Sequence, residues 1–141
     1  MTSSPGPEQL EPTPAEIAKV RASAEQGDAS AQNRLGIMYA DGLGVPQDDA
    51  EAARLYRLAA EQGNAPAQYN LGAAYYNGRG VPQDDVQAHM WFNLGASRQT
   101  GEARVNAVRG RDDVAGRMTP DDLSEAQRLA REWDAAHPRE P

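Results

Sequence analysis

Cysteine is absent from the 141-residue chain. This absence excludes disulfides, thiolate zinc sites and cysteine nucleophiles together. Aromatic residues are also scarce, at 6% of the sequence, and alanine and leucine supply most of the apolar content. Strands are enriched in aromatic and β-branched side chains. The composition therefore favours closely packed helices over a sheet.

Basic residues are also scarce. Lysine and arginine number 14 against 21 acidic residues, Lys19 is the only lysine, and the net charge is -7. A protein that binds nucleic acid needs a dense cationic face to meet the phosphates. The sequence therefore predicts no nucleic-acid partner, and the same charge balance argues against docking on anionic lipid.

Long apolar runs are also missing. No stretch approaches the roughly 18 apolar residues of a membrane span. The first seven residues have neither a cationic start nor an apolar run, so they do not resemble a signal peptide. If Met1 is the native start, we expect a cytoplasmic protein. If the chain is a fragment, a periplasmic location stays open.

The two ends of the chain lack an apolar period. Residues 1–13 are rich in proline, serine and glutamate, which predicts a disordered leader. Residues 136–141, which include His137, are predicted to form a frayed tail.

An internal repeat lies between the two ends. The segment Gly27–Ala52 returns at Gly63–Ala88 with fifteen of its 26 positions unchanged, which gives a period of 36 residues. Self-similarity at such a period is the signature of repeat architectures. We divide the array, residues 14–117, into full units at about 28–63 and 64–99 with partial units on either side.

Each unit is predicted to fold as two helices. The first helix of the first unit spans Ala29 to Asp41, because apolar residues recur there at four-residue spacing. Asp28 is its predicted N-cap, and Gly42 is the left-handed residue that ends it. Asp48 or Asp49 caps the second helix. The residues predicted to be buried are Ala31, Leu35, Tyr39, Ala52, Leu55, Tyr56 and Ala59, followed in the next unit by Ala67, Leu71, Gly72, Tyr75, Ala88, Trp91, Phe92 and Gly95.

Partial units flank this array. Residues 14–26 match the second helix of a unit, which we call a second-type helix. Residues 102–117 match the first helix of a unit, a first-type helix, but are more polar. Residues 118–135 form a predicted C-terminal capping helix, with Thr119 as N-cap and Pro120 at its first position. The apolar residues of this helix, Leu123, Ala126, Leu129, Ala130 and Trp133, are predicted to be buried. The sequence thus predicts an all-α protein of about seven helices and no strands.

The units resemble the Sel1-like repeat, a relative of the tetratricopeptide repeat. The resemblance is carried by Ala-x-x-x-Leu-Gly-x-x-Tyr-x-x-Gly-x-Gly-Val-Pro-x-Asp in both copies, and it covers about residues 15–135. It implies an α-solenoid, a right-handed superhelix of antiparallel helix hairpins. Members of this family are mostly adaptors that assemble other proteins. The last unit departs from the pattern, because it lacks the Gly-x-Gly-Val-Pro connector and has Gln99 where a glycine is expected.

Candidate catalytic groups are few. The two histidines, His89 and His137, are interpreted as exposed side chains without a catalytic role. The pairs Asp48-Asp49 and Asp84-Asp85 recur at the same offset, which favours helix capping over metal binding or acid–base chemistry. The sequence predicts no metal and no cofactor.

The only basic cluster consists of Arg104, Arg109, Arg111 and Arg117. It is interpreted as a solvated helix face, and an acidic partner is the alternative.

A candidate partner-binding surface lies on the first helices, opposite Leu35 and Tyr39. In similar solenoids these offsets line the concave groove where peptides dock, and aromatic rings there supply contact area at low entropic cost. The alternative left open is that these side chains pack on the next hairpin or stay solvated. The predicted residues are Asn33, Ile37, Ala40 and Asp41, and, one unit later, Tyr69, Ala73, Tyr76 and Asn77.

The predicted function is a non-enzymatic interaction module that binds another protein or a peptide segment on the concave face. One alternative is a structural unit of a larger assembly without a groove ligand. A second is an enzyme, because some cysteine-rich relatives bind or cleave β-lactams. The missing nucleophile–base pair and the missing cysteines argue against the second alternative.

Overall fold

The computed structural model describes residues 11–139, which contain seven α-helices and no strand. This confirms the predicted fold class. Of the predicted leader, residues 1–10 lie outside the described residues, and Thr13 is the N-cap of the first helix. The helices are α1 (Pro14–Glu25), α2 (Ala29–Asp41), α3 (Asp49–Glu61), α4 (Ala65–Asn77), α5 (Asp85–Ser97), α6 (Gly101–Ala115) and α7 (Pro120–Ala136).

Capping residues fix where the helices begin and end. The Asp28 carboxylate accepts a hydrogen bond from the Ala31 amide at 2.8 Å, which satisfies one of the free N–H groups of α2. Asp48, and not Asp49, caps α3 in the same way, and Asp84 caps α5. Gly42 ends α2 with φ 66°, a left-handed conformation that favours glycine, as predicted.

Two close approaches hold the hairpins together. Gly36 of α2 lies against Tyr56 of α3, and a Cβ on Gly36 would be 2.7 Å from that ring. Gly72 of α4 lies against Phe92 of α5 in the same way, where a Cβ would be 2.9 Å from the ring. The leucine–glycine step recurs in both units because a larger residue would push the second helix away from the first.

A hydrogen bond that repeats every 36 residues links successive units. The Gln32 side chain donates to the Ala24 carbonyl at 3.2 Å, and Gln68 donates to Ala60 at the same distance. In the third unit Arg104 takes the place of glutamine and donates to the Ala96 carbonyl at 2.6 Å. The repeat geometry therefore continues into α6 although its sequence is more polar.

Helix α7 departs from the repeat, because it packs mainly against α5 and has at most minor contact with α6. Trp133 of α7 meets Trp91 edge-on, with ring centroids 5.9 Å apart, and its indole N–H donates to Glu61 at 3.2 Å. The Arg98 guanidinium lies 5.0 Å from the Trp133 ring and pairs with Asp134 at 2.9 Å. The last two helices thus do not form a third hairpin.

Ala136 of the predicted tail belongs to α7, and residues 140 and 141 of that tail lie outside the described residues. The helix continues to Ala136, and the His137 ring stacks on Trp133 with centroids 3.9 Å apart. Leu123, Leu129 and Trp133, which the sequence predicts to be buried, are half-buried, since α7 lies at the surface of the array.

Candidate functional site

A groove runs between α2, α3 and α4, and we call it the first groove. It encloses a cavity of about 320 Å³. Small side chains form its floor, and polar side chains form its rim. The floor includes Ala40, Ala52, Ala53, Ala73 and Ala74, and the other lining residues are Ile37, Asp41, Asp49, Tyr56, Asn70, Asn77 and Arg79.

Five of the eight predicted partner-binding residues line this groove, namely Ile37, Ala40, Asp41, Ala73 and Asn77. Ile37, a large apolar side chain, is 36% exposed. Asn33 lies beside the groove, where its side-chain oxygen accepts a hydrogen bond from Asn70 at 2.9 Å. The structure therefore brings one stripe from each of the two first-type helices to the same cavity.

The two predicted tyrosines lie elsewhere. Tyr69 and Tyr76 are half-buried, and their ring centroids are 5.5 and 6.4 Å from that of Phe92. The Arg117 guanidinium covers the Tyr76 ring at 4.2 Å. They fill the space between α4, α5 and α6, which we call the second groove. For these two rings the structure matches the alternative left open above, that they pack on the next hairpin.

The difference between the two grooves lies at two matching positions. Ala40 stands 36 residues before Tyr76, and Asn33 stands 36 residues before Tyr69. The first groove is open because Ala40 and Asn33, the smaller residue of each pair, stand on its side. The second groove is closed because Tyr76 and Tyr69 stand at the same two positions of the next unit.

Each groove is braced by an arginine that the sequence analysis did not single out for this role. Arg79 donates to Asp49 at 2.9 Å and to the Ala40 carbonyl at 3.3 Å. Arg117 repeats this pattern on Asp85 at 2.7 Å and on the Tyr76 carbonyl at 3.1 Å. The signal in the sequence is that each arginine follows the glycine that ends a first-type helix.

Three of the four arginines in the predicted basic cluster have partners within the protein. Besides Arg104 and Arg117, Arg111 donates to the Asn93 side chain at 3.2 Å and pairs with Asp112. These side chains connect neighbouring helices, so the cluster is not the uniformly solvated face that the sequence suggests.

The floor of the first groove is electrically neutral, and its rim is acidic. Burial, together with the nearby Asp41 carboxylate, raises the pKa of Tyr56 to about 12, so the hydroxyl stays protonated at neutral pH. The hydrogen bond from Arg79 to Asp49 raises the pKa of that guanidinium, and the pair neutralises one side of the groove. Asp41 is exposed at the rim. The arrangement suits a ligand that offers an apolar group beside a donor or a positive charge.

His89 corrects another expectation, because it is 3% exposed and not a surface residue. Its Nδ1 atom has no hydrogen-bond partner within the described residues. Burial lowers its pKa, and the Arg111 charge lowers it further. His89 lies on α5 and does not line the first groove.

This lowered pKa predicts a loss of stability in mild acid. The unfolded chain takes up the His89 proton near the ordinary value of 6.5, whereas the folded protein takes it up only at lower pH. The contribution of neutral His89 to stability is therefore fully present above the pKa of the unfolded chain. It declines as the pH falls from there towards the lower pKa of the folded protein. Urea unfolding at about pH 7.5 and about pH 5.5 should show a larger loss for the wild type than for His89→Gln. Equal losses in the two proteins would contradict this origin of the acid sensitivity.

Among residues 11–139, no group of three or more histidine, aspartate or glutamate side chains is arranged to hold a metal ion. Across the same residues, none of the helices has the length and hydropathy that crossing a bilayer requires.

Comparison with known proteins places these features in a family. The Sel1 repeat model matches residues 29–64 and 65–99. A protective antigen from uropathogenic Escherichia coli strains, described as displaying an SLR fold, has a TM-score of 0.80 and 32% identity, and the match covers 86% of this chain and 26% of that one. For a Sel1 repeat protein from Oxalobacter formigenes the TM-score is 0.61 and the identity 37%, with 64% of this chain and 69% of that chain covered. A search of the curated proteins finds no match. The duplicated hairpins, their connector glycines and these matches together show that the chain belongs to the Sel1 repeat family.

Proposed function

We propose that the first groove binds an extended segment of a partner protein and seats one of its apolar side chains. Sel1 repeat proteins generally mediate protein–protein interactions, and their fold is typically a non-enzymatic scaffold. The cavity, at about 320 Å³, lies at the lower end of the range for ligand sites. A space of that size fits one or two side chains of a peptide.

The contrast between the two grooves carries the proposal. They are built from the same helix types with the same glycine approaches and the same arginine brace, yet only the second is filled by its own aromatic side chains. Ile37, which lines the unfilled groove, is 36% exposed, and covering it with an apolar side chain of a partner would stabilise the complex.

The rim of the first groove suggests the chemistry of the segment. Asn70 and Asn77 use their side-chain N–H groups within the protein, on Asn33 and on the Ala73 carbonyl. Their side-chain oxygens remain able to accept hydrogen bonds from the backbone N–H groups of an extended peptide. The exposed Asp41 carboxylate favours lysine or arginine next to the apolar anchor. The partner segment is therefore a bulky apolar residue flanked by a basic one.

A peptide-display selection on the purified chain tests this function. We expect the selected peptides to share a bulky apolar residue with a neighbouring lysine or arginine, and to lose at least about tenfold in affinity on Ala40→Tyr. That substitution places in the first groove the side chain that closes the second one. The fold should tolerate it, because Tyr76 is accommodated at the same position of the next unit.

The matched control is Ala22→Tyr, which adds the same ring at an exposed position of α1. It should leave peptide affinity unchanged. Peptides that bind wild type and Ala40→Tyr equally well would show that the groove is not the binding site. If no peptide is selected at all, the chain is better described as a structural unit without a groove ligand.

A further inference from the structure

Helix α7 occupies a definite seat on the outer side of the second unit. Its Ala130 and the half-buried Leu129 and Trp133 join a cluster with residues of α3, α4 and α5. One of these residues, Leu94, is only 2% exposed. The residues of this cluster that α3, α4 and α5 supply include Ala60, Leu71, Tyr75, Met90, Trp91 and Leu94, and we call these six the seat of α7.

The matching surface one unit earlier, between α1, α2 and α3, is not covered by any other helix of residues 11–139. We call it the outer seat. It contains a cavity of about 380 Å³. Leu58, which stands 36 residues before Leu94, is 42% exposed. The residues 36 positions before the seat of α7 all line this cavity, and they are Ala24, Leu35, Tyr39, Arg54, Leu55 and Leu58.

A polar anchor of the α7 seat is also present in the outer seat. Glu61 accepts the indole N–H of Trp133, and Glu25, its counterpart 36 residues earlier, lines the open cavity. The hydrogen bond from Arg57 to the Tyr75 hydroxyl, which braces the α7 seat, is repeated by Arg21 and Tyr39 at 3.3 Å. The scaffold that receives α7 is therefore built twice.

Two replacements make the outer seat selective. Gln62 stands 36 residues before Arg98, the residue that pairs with Asp134 of α7. An acidic residue of a docked helix at the position of Asp134 would therefore find no arginine to pair with. Arg54 stands where Met90 lies, and it is held by Glu51 through two hydrogen bonds of 2.6 and 2.8 Å. The outer seat therefore favours a helix with an uncharged residue at the position of Asp134.

We propose that the outer seat docks an amphipathic α-helix of a partner protein that has the chemistry of α7. Such a helix carries alanines four residues apart, a leucine beside them and an aromatic N–H donor that reaches Glu25. It carries an uncharged polar residue after that donor. The residues that line this surface and those that line the first groove do not overlap, so its occupancy does not depend on the first groove.

The test uses a fluorescein-labelled peptide of residues 118–139 with the change Asp134→Asn, titrated with the full chain and followed by anisotropy. We expect saturable binding that Leu58→Asp weakens at least about tenfold, because the charge would be buried under the helix. Leu58 is exposed in the free protein, so the variant should fold. Ile37→Asp on the first groove is the matched control and should leave binding of this peptide unchanged.

Other results would overturn the proposal. Absence of saturable binding would mean that the outer seat does not accept a helix. Binding that Leu58→Asp leaves intact would mean that the peptide displaces α7 from its own seat or binds elsewhere. A dimer of the unlabelled chain in sedimentation equilibrium, lost in Leu58→Asp, would show that the occupant is α7 of a second copy and not a helix of another protein.

Discussion

Replacing Trp91 with alanine is expected to lower the free energy of unfolding by about 3–5 kcal/mol. The side chain is 1% exposed and lies in the cluster that joins Leu71 of α4 to Ala130 of α7. It also contacts the ring of Trp133 edge-on. Removing it would leave a cavity at the point where the second hairpin and the last helix meet. Because small domains are stable by only about 5–15 kcal/mol, this loss removes a large part of the stability of the fold.

Circular dichroism during urea titration would measure this loss, with Leu58→Ala as the control. Leu58 is the exposed counterpart of Leu94, and truncating it should cost about 1 kcal/mol or less. A second readout uses Trp133→Phe, in which Trp91 is the only remaining indole. Free access of iodide to Trp91 in that protein, or a Trp91→Ala variant as stable as the wild type, would contradict the burial described here.

Replacing Gly80 with alanine should be the most damaging of the connector substitutions. Gly80 has φ 77°, and a Cβ there would lie 2.0 Å from the Asp49 carbonyl oxygen, which is backbone and cannot rotate away. The connector rests on the start of α3 at this point, where Arg79 pairs with Asp49. We expect the left-handed conformation to cost about 1 kcal/mol, and the overlap to bring the total loss above about 2 kcal/mol.

Gly101→Ala is the matched control for this prediction. Gly101 also has a positive φ, of 61°, but a Cβ there would meet nothing within 4 Å. Its substitution should therefore cost only the conformational part, about 1 kcal/mol. Urea unfolding of both variants separates the two contributions. Equal losses for Gly80→Ala and Gly101→Ala would show that the connector does not press on α3.

The sequence predicts the array well because each local choice repeats. The period of 36 residues, the cap at Asp28 and the left-handed Gly42 need only short-range chemistry, and the structure confirms them. The close approach at Gly36 follows from the same reasoning, since a residue without a Cβ beside a leucine stripe indicates tight helix packing.

The position of α7 could not be predicted in this way. Its pattern shows that one face is apolar, but it does not show which helix covers that face. The outcome depends on the long-range contacts of Trp133 with Glu61 and of Arg98 with Asp134, which lie 72 and 36 residues apart in sequence. A periodic pattern carries no information about such pairs.

The sequence predicts only part of the candidate site, for a related reason. Comparing the units shows which positions vary, and such variation suggests that a position is free to bind a partner. Ala40 and Tyr76 vary because one leaves its groove open and the other fills it, so only the smaller residue of the pair lines an open site. Tyr69→Ala and Tyr76→Ala are therefore expected to lower the free energy of unfolding, because both rings pack on Phe92.

Methyl NMR on the isoleucines tests the central claim, that the first groove is the partner-binding site. The chain has two isoleucines: Ile37 lines the groove, and Ile17 packs against the separate cluster of α1 and α2. Titrating a selected apolar–basic peptide into protein labelled at the isoleucine δ1 methyl groups should shift the Ile37 signal, leave the Ile17 signal in place, and produce no shift in Ala40→Tyr. A peptide that binds while the Ile37 signal stays unmoved would contradict the account.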